Sequence, residues 1–167
     1  MWKSGAQVTG GGQMVIRNER QALCVAVEME RRAIRIYERA LMLARDAEVR
    51  QGIEHMLMQE KEHYRRFLEM KNATEPVENE EQIITQALGA EVLFTGGVME
   101  LERAKALTTL HGLYAYAAQS EEEAVETYLD FASRCKDEKV AATFRAIAAE
   151  ESGHFGDLKE TLRGLEE

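Results

Sequence analysis

Cysteine occurs only twice in 167 residues, at Cys24 and Cys135, and there is no Cys-x-x-Cys pair. That excludes a disulfide scaffold and a four-cysteine metal site. Both thiols fall in helical apolar patterns and are expected to be buried and free. Proline occurs once, at Pro76, and aromatic residues make up 7% of the chain, a profile that favours long helices. No segment has eighteen consecutive apolar residues, so no membrane span is expected. The opening stretch, MWKSGAQVTGGGQM, lacks the apolar centre of a signal peptide. A cytoplasmic protein is therefore expected, with a flexible tail over residues 1–17. Positive charge is in deficit: 21 Lys and Arg against 30 Asp and Glu leave a formal charge of -9, which argues against nucleic acid as a partner. Bound cations would neutralise part of that acidity.

What the chain has is helical period. Asn18 reads as an N-cap, with Gln21 in the capping-box position, before apolar residues at Leu23, Ala26, Val27, Ala33, Ile34, Tyr37, Leu41 and Ala44. Asp46 opens a second helix ending near Lys71, and Pro76 breaks the linker that follows. Residues 77–107 read less clearly: EQIITQALGAEVLF suits a short helix, and Gly96-Gly97 interrupts it. A third helix follows Thr108 or Thr109, and Asp137 caps a fourth. The short turns at Asp46 and Asp137 imply two antiparallel hairpins. Residues 18–167 then form one domain, with a crossover over about 73–107.

The hairpins match each other at an offset of 91 residues without a gap. Glu30 aligns with Glu121, Ala33 with Ala124, Tyr37 with Tyr128, Asp46 with Asp137, Glu60 with Glu151 and His63 with His154. Each hairpin thus carries one Glu on its first helix and Glu-x-x-His on its second. Glu30 lies about 24 Å of helix before the turn and Glu60 about 21 Å after it, so antiparallel packing brings them level. All four glutamates and both histidines fall on apolar stripes, in one central layer. Four bare carboxylates in a core would be severely destabilising. Two divalent cations would balance them, and the i, i+3 spacing lets each Glu and His pair reach one ion. Carboxylate with imidazole suits iron or manganese, and this arrangement is the di-iron carboxylate bundle pattern.

A single Glu-x-x-His would carry little weight among 26 glutamates; the duplication carries the argument. His55 and His111 have no Glu three residues before them and read as non-ligands. Tyr37 and Tyr128 lie two turns beyond Glu30 and Glu121 and read as hydrogen-bond donors to ligand carboxylates. Glu62, Glu122 and Glu123 read as solvated, and Met56, Met58 and Met70 as core filler.

VEMERRAIRIY, QEKEHYRRF, QSEEEAVETY and AEESGHF together resemble the di-iron domain of the rubrerythrins, within the ferritin-like superfamily. The resemblance covers roughly residues 18–72 and 108–165. It implies an all-α ferritin-like four-helix bundle of two hairpins joined by a long crossover. It implies Glu30 and Glu121 as terminal ligands, Glu60 and Glu151 as bridging ligands, and His63 and His154 as one histidine per iron. Two iron ions are the expected cofactor, with manganese or a mixed manganese–iron pair as alternatives. Two departures stand out. Nothing here supplies the four-cysteine rubredoxin module, and Ala124 stands where rubrerythrin has an additional ligand Glu. With Ala33 as its repeat partner, Ala124 predicts near-equivalent environments for the two metals.

The expected function is a di-iron oxidoreductase of oxidative-stress type. It would reduce hydrogen peroxide or dioxygen with electrons from an external donor such as a rubredoxin-like protein. The alternatives are a ferroxidase or iron-handling protein without significant peroxide turnover, and a structural bundle with a vestigial metal site. A homodimer is one candidate assembly, since ferritin-like bundles commonly associate.

Overall fold

A computed structural model describes residues 18–76 and 104–166. Four long helices account for nearly all of them: α1 Glu19–Leu43, α2 Ala47–Asn72, α3 Leu110–Arg134 and α4 Glu138–Glu166. There is no strand among the described residues, and the fold is an all-α helical bundle. No helix among them is long and apolar enough to cross a membrane.

The helix boundaries follow from caps. Asn18 accepts a hydrogen bond from the Gln21 backbone N–H. Asp46 accepts from Glu48 and Val49, and Thr109 from Gly112. Asp137 accepts from Lys139 and Val140 at the start of α4. Each cap satisfies backbone donors that the first turn of a helix leaves free. The α1–α2 turn is also clasped: Arg50 Nη1 donates to the carbonyls of Leu41 (2.7 Å) and Ala44 (3.1 Å).

Side-chain contacts fix the directions of the helices. Gly52 on α2 packs against Leu113 and Tyr114 near the start of α3. Phe67, near the end of α2, meets Tyr128, near the end of α3, with ring centroids 4.9 Å apart. These two helices therefore run parallel. Tyr37 of α1 meets Tyr116 of α3, while Glu30 meets Tyr128, so α1 and α3 are antiparallel. The end of α2 and the start of α3 thus lie at opposite ends of the bundle, as a long crossover demands. Most of that crossover, residues 77–103 with the expected short helix and the Gly96-Gly97 break, lies outside the described residues. So does the tail over 1–17.

The apolar core is in two parts. One half gathers Leu23, Phe67, Phe131, Phe144 and Ile147; the other gathers Ile36, Ile53, Leu113, Ala117 and Leu158. Two expectations about the core need correcting. Met58 is 63% exposed, because it sits on the outer face of α2, two residues from the inward-facing Met56 and Glu60. Cys135 is only partly buried, because it is the C-cap of α3 and lies at the rim of the bundle. Cys24 is buried, as expected.

Candidate metal centre

Between the two half-cores lies a layer of buried ionisable groups. Glu30, Glu60, His63, Glu121 and Glu151 are each at most 7% exposed. One helix contributes each element of the pattern: Glu30 from α1, Glu60 and His63 from α2, Glu121 from α3, and Glu151 and His154 from α4. The structure brings all six together. Glu30, Glu60, His63 and Glu151 offer atoms within 4.8 Å of one another, and so do Glu121, Glu151 and His154. Donors about 2.1 Å from one ion would lie no further apart than about this. Glu151 belongs to both groups. Among the described residues His55 and His111 are exposed and belong to neither. Glu62, Glu122 and Glu123 are exposed, as expected of a solvated face.

The electrostatics are those of a core overloaded with acid. Burial, reinforced by Glu60 and Glu151, pushes the Glu30 carboxyl well above its usual range, although the Tyr128 hydroxyl partly offsets this. Burial also raises Glu60, with Glu151 adding to the shift. Glu121 is pushed up to about 11 by burial and by its contact with Glu151. Burial acts on Glu151 in the same direction, but His154, His63 and Glu121 together outweigh it and hold the carboxyl down at about 2. Glu121 and Glu151 therefore behave as a pair holding one proton, on Glu121. Burial works against the charged form of His63, yet the facing carboxylates, led by Glu151, raise it overall.

Two buried atoms report the fit to a metal. His63 Nδ1 lies 3.0 Å from Glu151 Oε1 and is buried without a hydrogen bond. A ring nitrogen aimed into a carboxylate cluster without a hydrogen bond suits a cation ligand. Tyr128 donates to Glu30 Oε1 at 2.5 Å across the helix pair. Its repeat partner Tyr37 is fully buried with an unpartnered hydroxyl. Burial raises Tyr37 well above the ordinary phenol value, and Glu60 and Glu121 are among the groups adding to the shift.

A cavity of about 430 Å³ lies between α1 and α3. Glu30, Glu121, Ala33 and Ala124 line its walls, and Glu60 and Glu151 from the opposite helices line it too. Exposed Gln119 and Glu123 also border it, so it reaches the surface. Neither histidine lines it.

A family model described as Rubrerythrin matches residues 113–167, a stretch that holds α4, most of α3, and Glu121, Glu151 and His154. The hairpin of α3 and α4 is rubrerythrin-like. The match, the helical bundle and the buried carboxylate–histidine cluster fit a ferritin-like di-iron domain. At the 91-residue offset the other hairpin has the same residue types at Glu30, Glu60 and His63. No curated protein and no solved structure matches the chain.

One expectation fails on geometry. The two groups are not near-equivalent: the His63 side chain is 3% exposed and that of His154 is 26% exposed. The Ala33 and Ala124 pair is symmetric, but the surroundings of the two rings are not. The rings also face different residues, Glu150 beside His63 and Gln59 beside His154. Glu150 and Gln59 precede Glu151 and Glu60 by one position. They fall off the apolar stripe, so periodicity gave them no role. The 91-residue alignment that pairs Gln59 with Glu150 was the signal that could have found them.

Proposed function

We propose that this protein is a di-iron oxidoreductase that reduces hydrogen peroxide or dioxygen with electrons from an external donor. Glu30, Glu60 and His63 with Glu151 would hold one ion, and Glu121 and His154 with Glu151 the other. The cavity between α1 and α3 carries this reading. It would bring a small molecule from the surface to the four carboxylates, and neither histidine lines it. Two ferrous ions, when bound, supply the two electrons that convert one hydrogen peroxide and two protons into two waters. The chain itself does the rest. Its two half-cores hold α1 to α4 so that the six side chains converge, and Tyr128 fixes the orientation of the Glu30 carboxylate. Ala33 and Ala124 keep the path clear of side-chain bulk.

The exposed Glu123 at the cavity wall favours a second reading, ferrous iron oxidation, because an acidic border also attracts cations. Anaerobic loading with ferrous iron distinguishes the two. Elemental analysis is expected to give two ions per chain. Added peroxide or dioxygen should oxidise them far faster than free ferrous ion. With a rubredoxin-like donor present, oxidant should be consumed over many turnovers; a single turnover followed by release of ferric iron supports the second reading. Fewer than two ions at saturation, or oxidation no faster than that of free ferrous ion, would sink both.

The alanine wall gives a further expected result. Ala124 lies one turn beyond Glu121 on the same face, so Ala124→Glu should place a carboxylate in the cavity. The ratio of the peroxide to the dioxygen rate should change several-fold in stopped-flow oxidation, at some cost in packing. An unchanged ratio in a variant that still loads two ions would remove Ala124 from oxidant choice.

A further inference from the structure

Gln59 and Glu150 are repeat partners, each directly before a cluster glutamate, and each reaches across the bundle to the histidine of the other hairpin. Glu150 Oε2 lies 3.4 Å from His63 Nε2. Arg66 Nη1 holds the same carboxylate, at 2.7 and 2.9 Å. Gln59 Nε2 lies 2.8 Å from His154 Nε2. Both rings turn Nδ1 towards the carboxylates, His63 at 3.0 Å and His154 at 3.4 Å from Glu151. Nε2 of each therefore faces a residue of the opposite hairpin.

The Gln59 contact identifies its own chemistry. Gln59 Oε1 is buried with no hydrogen-bond partner, while its amide nitrogen faces a ring nitrogen. If Nδ1 of His154 binds a cation, Nε2 must carry the proton and donate it. A half-turn of the Gln59 amide then presents Oε1 to that proton and satisfies both groups at once.

We infer that Glu150 and Gln59 are positioning residues that decide which of the two metal sites fills first. This rests on the two-metal reading above. With an ion bound, each would accept a hydrogen bond from the outer N–H of a ligand histidine, Gln59 after its amide turns and Glu150 from its 3.4 Å contact, and so fix the ring's tautomer and orientation. A carboxylate acceptor makes the imidazole a stronger donor to its ion than a neutral amide does. The ion on the His63 side is therefore held more tightly and binds first. The greater burial of His63 works in the same direction, since it shields that polarisation from solvent. Partners of this kind typically change affinity by about 10- to 100-fold.

The test is an exchange that leaves net charge unchanged: Glu150→Gln with Gln59→Glu. Metal-free protein is titrated with Mn²⁺, and crystals grown at one equivalent per chain are examined by anomalous scattering. In the wild type, two binding steps should differ at least tenfold and the first ion should lie beside His63. In the exchanged variant the first ion should lie beside His154. Glu150→Gln alone should bring the two steps together, which keeps the question decidable if the double variant folds poorly by circular dichroism. Equal first occupancy in the wild type, or a first ion that stays beside His63 after the exchange, overturns the inference and leaves the two-metal reading intact. No bound ion at all overturns that reading itself.

Discussion

Metal-free protein should become more stable as pH falls from 7 towards 5. Glu30, Glu60 and Glu121 all have folded-state values above the ordinary 4.5. A group raised on folding contributes stability that is complete below its unfolded value and is lost as pH rises through its folded value. For Glu121 that window runs from 4.5 to about 11, so pH 5–7 lies inside it. His63, raised above 6.5, acts in the same direction. Each carboxyl that stays protonated only in the fold contributes about 1.4 kcal/mol per pH unit. A gain of about 2 kcal/mol or more between pH 7 and 5.5 is expected in urea melts. Glu151 acts the other way: held down at about 2, it contributes stability present above 4.5 that disappears as pH falls towards 2. The metal-free optimum should therefore lie near pH 5. Metal-loaded protein should show the reverse slope, because protons compete with the ions for the same oxygens. Metal-free melts that weaken steadily on acidification from pH 7 would contradict this account of the core.

Loss of Glu151 should cost both ions, and loss of Glu121 only one. Glu151 belongs to both donor groups, whereas Glu121 belongs to one. An ion present at a thousandfold excess over its Kd stabilises the fold by about 4 kcal/mol. The difference between loaded and metal-free melts should therefore be about 8 kcal/mol in the wild type. It should fall to about half in Glu121→Ala and to near zero in Glu151→Ala. Taking the difference for each variant removes any packing defect common to its two forms. Two ions retained by Glu151→Ala would show that another residue bridges the groups.

The parts of this molecule that sequence reveals are those that local periodicity controls. Asn18, Asp46, Thr109 and Asp137 cap their helices because a short polar side chain can meet the first free N–H groups. That requirement is visible in a window of four residues. Glu30, Glu60, Glu121 and Glu151 are readable because they interrupt apolar stripes, and because a gapless repeat doubles the interruption. The family match covers residues 113–167, and the repeat supplies the other hairpin. What periodicity misses is set by how helices approach each other. Cys135 lies at the rim because it ends α3, where exposure depends on how the neighbouring helices end, whereas Met58 faces outward by the same period that turns Met56 and Glu60 inward. Gln59 and Glu150 lie about 100° of helical rotation from the stripe. Only the packing of α2 against α4 carries them to the opposite histidines.

That cross-bundle exchange has a historical side. Two identical hairpins associating about a twofold axis would make the same layer of four glutamates and two histidines, each hairpin reaching its partner's imidazole. In such a dimer the residue before each Glu of the Glu-x-x-His must be the same in both copies, since one gene encodes both. Joining the copies into one chain removes that constraint. Gln59 and Glu150 are a difference that a dimer of identical hairpins could not hold, and it lets the two halves of the layer they flank differ.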